Sequence, residues 1–567
     1  MAVRHLAFTA FFWSLVAAAV TWPLILDPFG RLLGDPDVDV WNHAWGYWFV
    51  AEALARGELP FFTLWSGAPE GGTLWFIDAV GAFAAVPLTL VFGAGVSYNL
   101  VMFLRVAFAG FAAAGLCEAL SGKGPHTRLA GVAYASSPFL VSELGNGISE
   151  VCAVAGVPLS LWALISLFSR ARAGEARVRD YVLVGLSSGF AAAATPYYGL
   201  VVGSLGLVLV FREFRLLDPR RSTGRRVWIG LAAAGVLAAS LALPPLLAFR
   251  ASLYAPDALI ERTGPPKLSL LAHNAVDPRE YLNPREVRSV DLKEKYKESF
   301  IHTGYVRWSV LLLCVIALIR RPELRFWAIP AGVAALMGLG TFLWWGQDWV
   351  RLGGNLISLP FWWAIKVFPG LAITHPLRLS LGLQAVLTAL AGAALAGVGP
   401  PRWRPLLVGV LALGVAAETA VAGGAVWPIR TSEAAIPGAY EGLPEGVVLD
   451  LPTLVGETMA MQRYFWYQTG HRHPLPYPPD IRVNRPRDVA TMWYFSRFCT
   501  VMSNGGRAED LPIPDSLRSH LRQRYVAVLV HEALEAQAGM RGAHRTVLER
   551  ALGAPEEKDG VLVWRLR

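Results

Sequence analysis

The feature that most constrains this chain is a succession of apolar runs, each near the length of a bilayer crossing, that fills residues 6–426. A spanning helix needs about 20 mostly apolar residues. Runs of that kind lie at 6–26, 98–120, 129–145, 150–169, 181–195, 198–211, 227–249, 306–320, 326–345, 377–398 and 405–426. Composition agrees, since only 16% of the 567 residues are charged, against about 25% in soluble domains. The first run follows Arg4 and lacks a small-residue cleavage site before Asp27, so it reads as a retained helix rather than a signal peptide.

Basic residues set the topology. Arg170, Arg172, Arg177 and Arg179 precede the hairpin around Pro196, Tyr197 and Tyr198, and Arg212, Arg215, Arg220, Arg221, Arg225 and Arg226 follow it. Short loops rich in arginine are cytoplasmic. That pattern accounts for the net charge of +9 and argues against nucleic acid as a partner. Cys117, Cys152 and Cys314 lie in apolar runs and Cys499 near the C-terminus, with no metal or disulfide spacing. The expected fold is an α-helical polytopic membrane protein with about eleven transmembrane helices, N-terminus inside. It comprises a membrane module at 1–426, including a first outer loop at 27–97, and an extracytoplasmic soluble α/β domain at 427–567. Residues 79–93 are read as an outer interfacial or re-entrant helix, because another crossing would invert the arginine-rich loops.

Strand-like runs at 447–451, 525–530 and 561–566, with a helical stretch over roughly 532–552, support the α/β expectation. Long outer loops are usually functional. The loop at 250–305 mixes Arg279, Arg285, Arg288, Lys293, Lys295 and Lys297 with several glutamates. It is either a solvated surface or a mobile cover for a bound donor.

The first outer loop carries Gly34-Asp35-Pro36-Asp37-Val38-Asp39-Val40-Trp41-Asn42-His43. Its carboxylates alternate as an EF-hand's do, but Val40 and Gly46 stand where that loop needs Gly and Glu. Residues 40–56 read as a helix with Trp41, Trp45 and Trp48 on one stripe and Asp39 and His43 opposite. With the stripe in the membrane interface, Asp39 and His43 would face water. Such carboxylates can act as general base toward a hydroxyl or share a divalent cation. Asp37 or Asp39 as a simple helix cap, and His43 as a solvated or hydrogen-bonded histidine, are the plainer alternatives.

Further along come Arg56-Gly57-Glu58-Leu59-Pro60, Pro69-Glu70-Gly71-Gly72, a segment from Pro87 to Gly93 ahead of Tyr98-Asn99-Leu100, and Asn146-Gly147 with Glu150. Later stand His375-Pro376-Leu377-Arg378, Leu449-Asp450-Leu451-Pro452 and Tyr467-Gln468-Thr469-Gly470-His471. In this order they resemble the GT-C superfamily of polytopic membrane glycosyltransferases, especially its bacterial lipoteichoic-acid-glycosylating relatives. The resemblance implies transfer of a sugar from a polyprenyl-phosphate-linked donor to a glycan, lipid or protein acceptor on the outer face of a bacterial inner membrane. By position the family's catalytic carboxylate falls on Asp37 or Asp39, with Asp35 a third candidate. A second acidic position falls near Glu143 or Glu150. A divalent cation (Mg²⁺ or Mn²⁺) is the one cofactor left open, on Asp37 and Asp39.

A departing phosphate needs a fixed cation. Arg378 beside His375, and Arg105 in the outer third of its helix, are the candidates, since an intramembrane arginine is a functional hypothesis by default. The alternatives are snorkelling for Arg378 and pairing with a carboxylate such as Glu150 for Arg105. A lipid-linked glycan transporter or flippase, or a glycan polymerase or ligase, remains the competing class. No internal repeat of the transporter kind is evident.

Overall fold

The computed structural model describes residues 2–260, 271, 274–283, 300–346, 348–367, 373–400, 402–453, 460–478 and 488–567. Arg285, Arg288, Lys293, Lys295 and Lys297 of the basic loop lie outside the described residues. Among the described residues, five helical stretches are long and apolar enough to cross a membrane: Ala94–Ser121, Glu150–Arg172, Ser222–Tyr254, Pro376–Ala393 and Arg404–Ala422. Shorter apolar helices run over Leu6–Val20, Ala79–Phe92, Pro196–Arg212 and Trp308–Arg320. The stretch Pro376–Ala393 is wholly enclosed by its neighbours, so the late helix that carries Arg378 is the core of the bundle. The leading run ends as an α-helix at Val20 rather than near 26.

Two expected spans are not single helices. Residues 129–145 divide into helices His126–Ala135 and Pro138–Gly145. Pro138 disfavours a helical Ser137, and the break frees backbone carbonyls that something must pair. Arg307 donates to Ser136 O at 3.2 Å and also to Ala133 O, while Thr419 Oγ1 donates to Ser136 O at 2.7 Å. The run at 326–345 is helical only over Ala328–Gly338, after a 3₁₀ turn at Pro322–Trp327. Two short hairpins follow, pairing Trp344–Trp345 with Asp348–Trp349 and Arg351–Leu352 with Asn355–Leu356. Glu418 accepts from Tyr305 Oη at 2.7 Å and from the Trp308 and Ser309 amides at 2.7 and 3.0 Å. A carboxylate there satisfies the free N–H groups that open helix Trp308–Arg320.

The C-terminal part holds a four-stranded sheet in the order Glu556–Lys558, Val561–Arg565, Ala527–His531, Val448–Leu451. The last pair is parallel and the others antiparallel. Strands Val448–Leu451 and Ala527–His531 are buried throughout, which is why they read as near-continuous apolar runs. The helical stretch expected over 532–552 is two helices, Glu532–Gln537 and Ala543–Leu552. Gly539 and Gly542, with φ of +72° and +77°, make the turn between them.

These strands do not stand apart from the loop at 27–97. Arg31–Leu33 pairs antiparallel with Thr431–Glu433, and helix Ala460–His471 packs along helix Val40–Ala55. The tryptophan stripe is therefore not a lipid anchor. Trp41, Trp45 and Trp48 are buried, with Trp45 Nε1 donating to Gln468 Oε1 at 2.8 Å and its ring 5.2 Å from that of Phe465. Gln468 Nε2 in turn donates to Trp65 O at 2.7 Å and His473 O at 2.9 Å. An indole N–H needs a partner once buried, and this partner lies 423 residues away.

Candidate active site

The site begins where two backbones touch. Asp35 N donates to Gly145 O at 2.8 Å. At Gly147, φ is +70° and a Cβ would stand 2.7 Å from Val40 Cα, so only glycine lets the Asn146–Glu150 turn lie against the first-loop helix. Tyr98 Oη bridges Leu33 O at 2.7 Å and Gly147 O at 3.0 Å. Asn99 fixes the same strand, accepting from Leu33 N at 3.0 Å and donating to Pro28 O and Arg31 O. The Tyr98-Asn99 pair thus pins the aspartate loop onto the turn.

The three aspartates differ in what they meet. Asp35 forms an ion pair with Arg430, and its Oδ1 accepts from Asp37 N at 3.0 Å, so it shapes the loop. Asp37 is half-buried, and its carboxylate has no hydrogen-bond partner among the described residues. Asp39 takes the N-cap position of the helix without a capping bond, and its Oδ1 accepts from Gln462 Nε2 at 2.9 Å.

One turn on, His43 does not face water. Its ring is buried, with Nδ1 3.0 Å from Ser149 Oγ and 3.5 Å from Glu150 Oε2. Burial pushes the imidazole below its usual pKa, against the opposing pull of Asp39 and Asp78. Asp39 and Arg378 both act electrostatically on this ring, which joins the first loop to the late helix.

Arg378 is 6% exposed. Its guanidinium lies 5.2 Å from the Tyr197 ring centroid and makes no hydrogen bond among the described residues, Nε being fully enclosed. Its charge acts on Glu143 and Glu150. Glu150 Oε2 is likewise enclosed without a hydrogen bond. Glu143 Oε1 stands 2.9 Å from His302 Nδ1. His375 Nδ1 lies 2.8 Å from Thr374 Oγ1 and 3.4 Å from Tyr197 Oη, and its ring is 6.0 Å from that of His302.

Arg105 pairs with Asp78, not Glu150. Its Nη1 and Nη2 donate to Asp78 Oδ2 and Oδ1 at 2.9 and 2.7 Å, and Nη1 also donates to Ser149 O. Tyr47 Oη completes the carboxylate at 2.8 Å. A bidentate pair of this kind braces the turn from behind.

Two solved structures share this architecture. An arabinofuranosyltransferase from Mycobacteria superposes with a TM-score of 0.53 at 18% identity, over 93% of this chain and 36% of that one. ArnT from Cupriavidus metallidurans, bound to undecaprenyl phosphate, superposes at 0.50 with 13% identity, over 100% of this chain and 99% of that one. The chain has the GT-C fold. It spans little more than a third of the arabinofuranosyltransferase's length. No family model matches the sequence, and no curated protein does.

Within this GT-C fold the structure brings His43, Glu150, Glu143, Arg378 and His375 to one cluster, with Asp39 beside it, and sets Asp35 and Arg105 apart in ion pairs. Sequence reading missed Asp78, His302 and Gln462. None of them belongs to a motif, and each meets its partner only in three dimensions. Among the described residues, no three His, Cys, Asp or Glu side chains are grouped to hold a metal.

Proposed function

We propose that this protein is a multi-pass membrane glycosyltransferase that moves a sugar from a polyprenyl-phosphate-linked donor to an acceptor on the extracytoplasmic face. The observation that carries the reading is Arg378: a buried guanidinium with no hydrogen bond among the described residues. An intramembrane charge left so costs free energy unless a ligand completes it. A lipid phosphate at the membrane boundary is such a ligand. Asp39, with Asp37 as its alternate, takes the proton of the acceptor hydroxyl. The acceptor oxygen bonds to the anomeric carbon as the bond from that carbon to phosphate oxygen breaks. The phosphate leaves with the electron pair, and Arg378 meets its growing charge. His43, His375 and Glu150 line the path between base and cation.

A divalent cation on Asp37 and Asp39 would draw its remaining ligands from water and phosphate, as Mg²⁺ commonly does. We assign residues 1–426 to the membrane module and 427–567 to an extracytoplasmic domain packed on its first loop, with about eleven crossings and a cytoplasmic N-terminus by the positive-inside rule. The sugar-bearing lipid, the acceptor and the bilayer are the partners. Mass spectrometry of envelope glycolipids and glycans from cells with and without the protein tests the reading: a sugar-sized increment should vanish with it. Identical spectra would overturn the assignment.

A further inference from the structure

We propose that His302 is a second phosphate ligand, acting with Arg378; this rests on Arg378 as the group that grips the donor's phosphate. His302 belongs to the segment leading into helix Trp308–Arg320, and two contacts fix it. The Asn146 side chain pairs with the Ile301 backbone, donating to its carbonyl at 2.8 Å and accepting from its amide at 2.9 Å. Glu143 Oε1 holds His302 Nδ1 at 2.9 Å.

An ionised carboxylate can only accept, so Nδ1 is the donor in that bond, and the group left to bind anything else is Nε2. Among the described residues Nε2 has no hydrogen-bond partner. The His302 ring is 6.0 Å from that of His375, three positions before Arg378, and the Arg378 charge acts on Glu143 itself. Imidazole and guanidinium therefore act on the same carboxylate, that of Glu143.

The surroundings of Arg378 explain why a second donor belongs there. Glu143 and Glu150 both act on Arg378, so its positive charge is already shared with acidic groups before a phosphate arrives. In the phosphate-bound state His302 serves as that second ligand. It donates Nδ1–H to Glu143 and Nε2–H to a phosphate oxygen, and charge-assisted bonds of this kind are the stronger sort. The plainer reading makes His302 only a brace for the buried Glu143, and the two readings separate on substitution. Asparagine reproduces the Nδ1 donor and deletes Nε2; glutamine reaches the Nε2 position and gives up Nδ1.

The experiment is titration of undecaprenyl phosphate into the purified full-length protein in nanodiscs, read by intrinsic tryptophan fluorescence, with melting temperatures measured in parallel. Expected are about tenfold weaker binding for His302→Asn at a near wild-type melting temperature, a loss within about threefold for His302→Gln, and at least tenfold weaker binding for Arg378→Ala. Wild-type binding by His302→Asn alongside impaired Arg378→Ala overturns His302 as a ligand and leaves the Arg378 reading standing. Undiminished binding by Arg378→Ala overturns the phosphate reading, and this proposal with it. Should His302→Asn fail to fold, His302→Gln decides: a loss as large as that of Arg378→Ala counts against the ligand role.

Discussion

Two buried arginines, Arg105 and Arg378, stand in helices of the same bundle and differ in almost every electrostatic respect. Arg105 is held by both oxygens of Asp78, and that carboxylate is itself completed by Tyr47 and the Gly81 amide. Arg378 has an aromatic face and two glutamates acting on it, but its guanidinium makes no hydrogen bond among the described residues. A buried charge that is fully paired reads as architecture; one left open reads as half of an interaction whose other half is a ligand.

The comparison breaks first at Asp78. Asp78→Ala orphans the Arg105 charge and should lower unfolding stability by about 4 kcal/mol, visible as a large drop in melting temperature. Little change would mean the pair is not structural. Arg378→Ala should do the reverse, costing roughly a hundredfold in sugar transfer while stability moves by less than about 1 kcal/mol. Asp35→Asn sharpens the contrast within the loop. Its partner Arg430 is largely exposed, so stability should fall by under about 1 kcal/mol, with transfer within a few-fold of wild type.

The smallest effect is a pH dependence. His43 has a folded pKa depressed below the ordinary 6.5 by burial, so the unfolded chain takes up the proton more readily. Its contribution to stability is complete above about pH 6.5 and is lost as pH falls below that value. His43→Gln should flatten the acid side of the stability profile between about pH 6.5 and 5, measured by thermal unfolding. A profile unchanged by the substitution would place the imidazole in a less enclosed environment than the structure gives it.

Much of the bundle was legible, because lipid-length apolar runs and arginine-rich loops are one-dimensional signals. The breaks were harder. Ser136-Ser137-Pro138 carries a proline warning, yet nothing local says that Arg307 and Thr419 will receive the freed carbonyls. The tryptophan stripe was correctly placed on one helix face and wrongly given to lipid, because periodicity shows that a face is buried but not what buries it; Gln468 and Phe465 come from the far end of the chain. The aspartate alternation drew attention to the loop that carries Asp39 and leads into His43. It could not rank the three, since the ranking comes from Arg430 and Gln462, distant residues that neutralise one carboxylate and leave another charged but held.

The most direct test of a first-loop base acting opposite Arg378 is an envelope mass spectrum from cells lacking the native protein and supplied with Asp39→Asn, Asp37→Asn or Asp35→Asn. The added sugar mass should disappear with Asp39→Asn, a loss of roughly a thousandfold for a missing general base, and persist with Asp35→Asn. Full sugar addition by all three variants would contradict carboxylate-dependent transfer at this site.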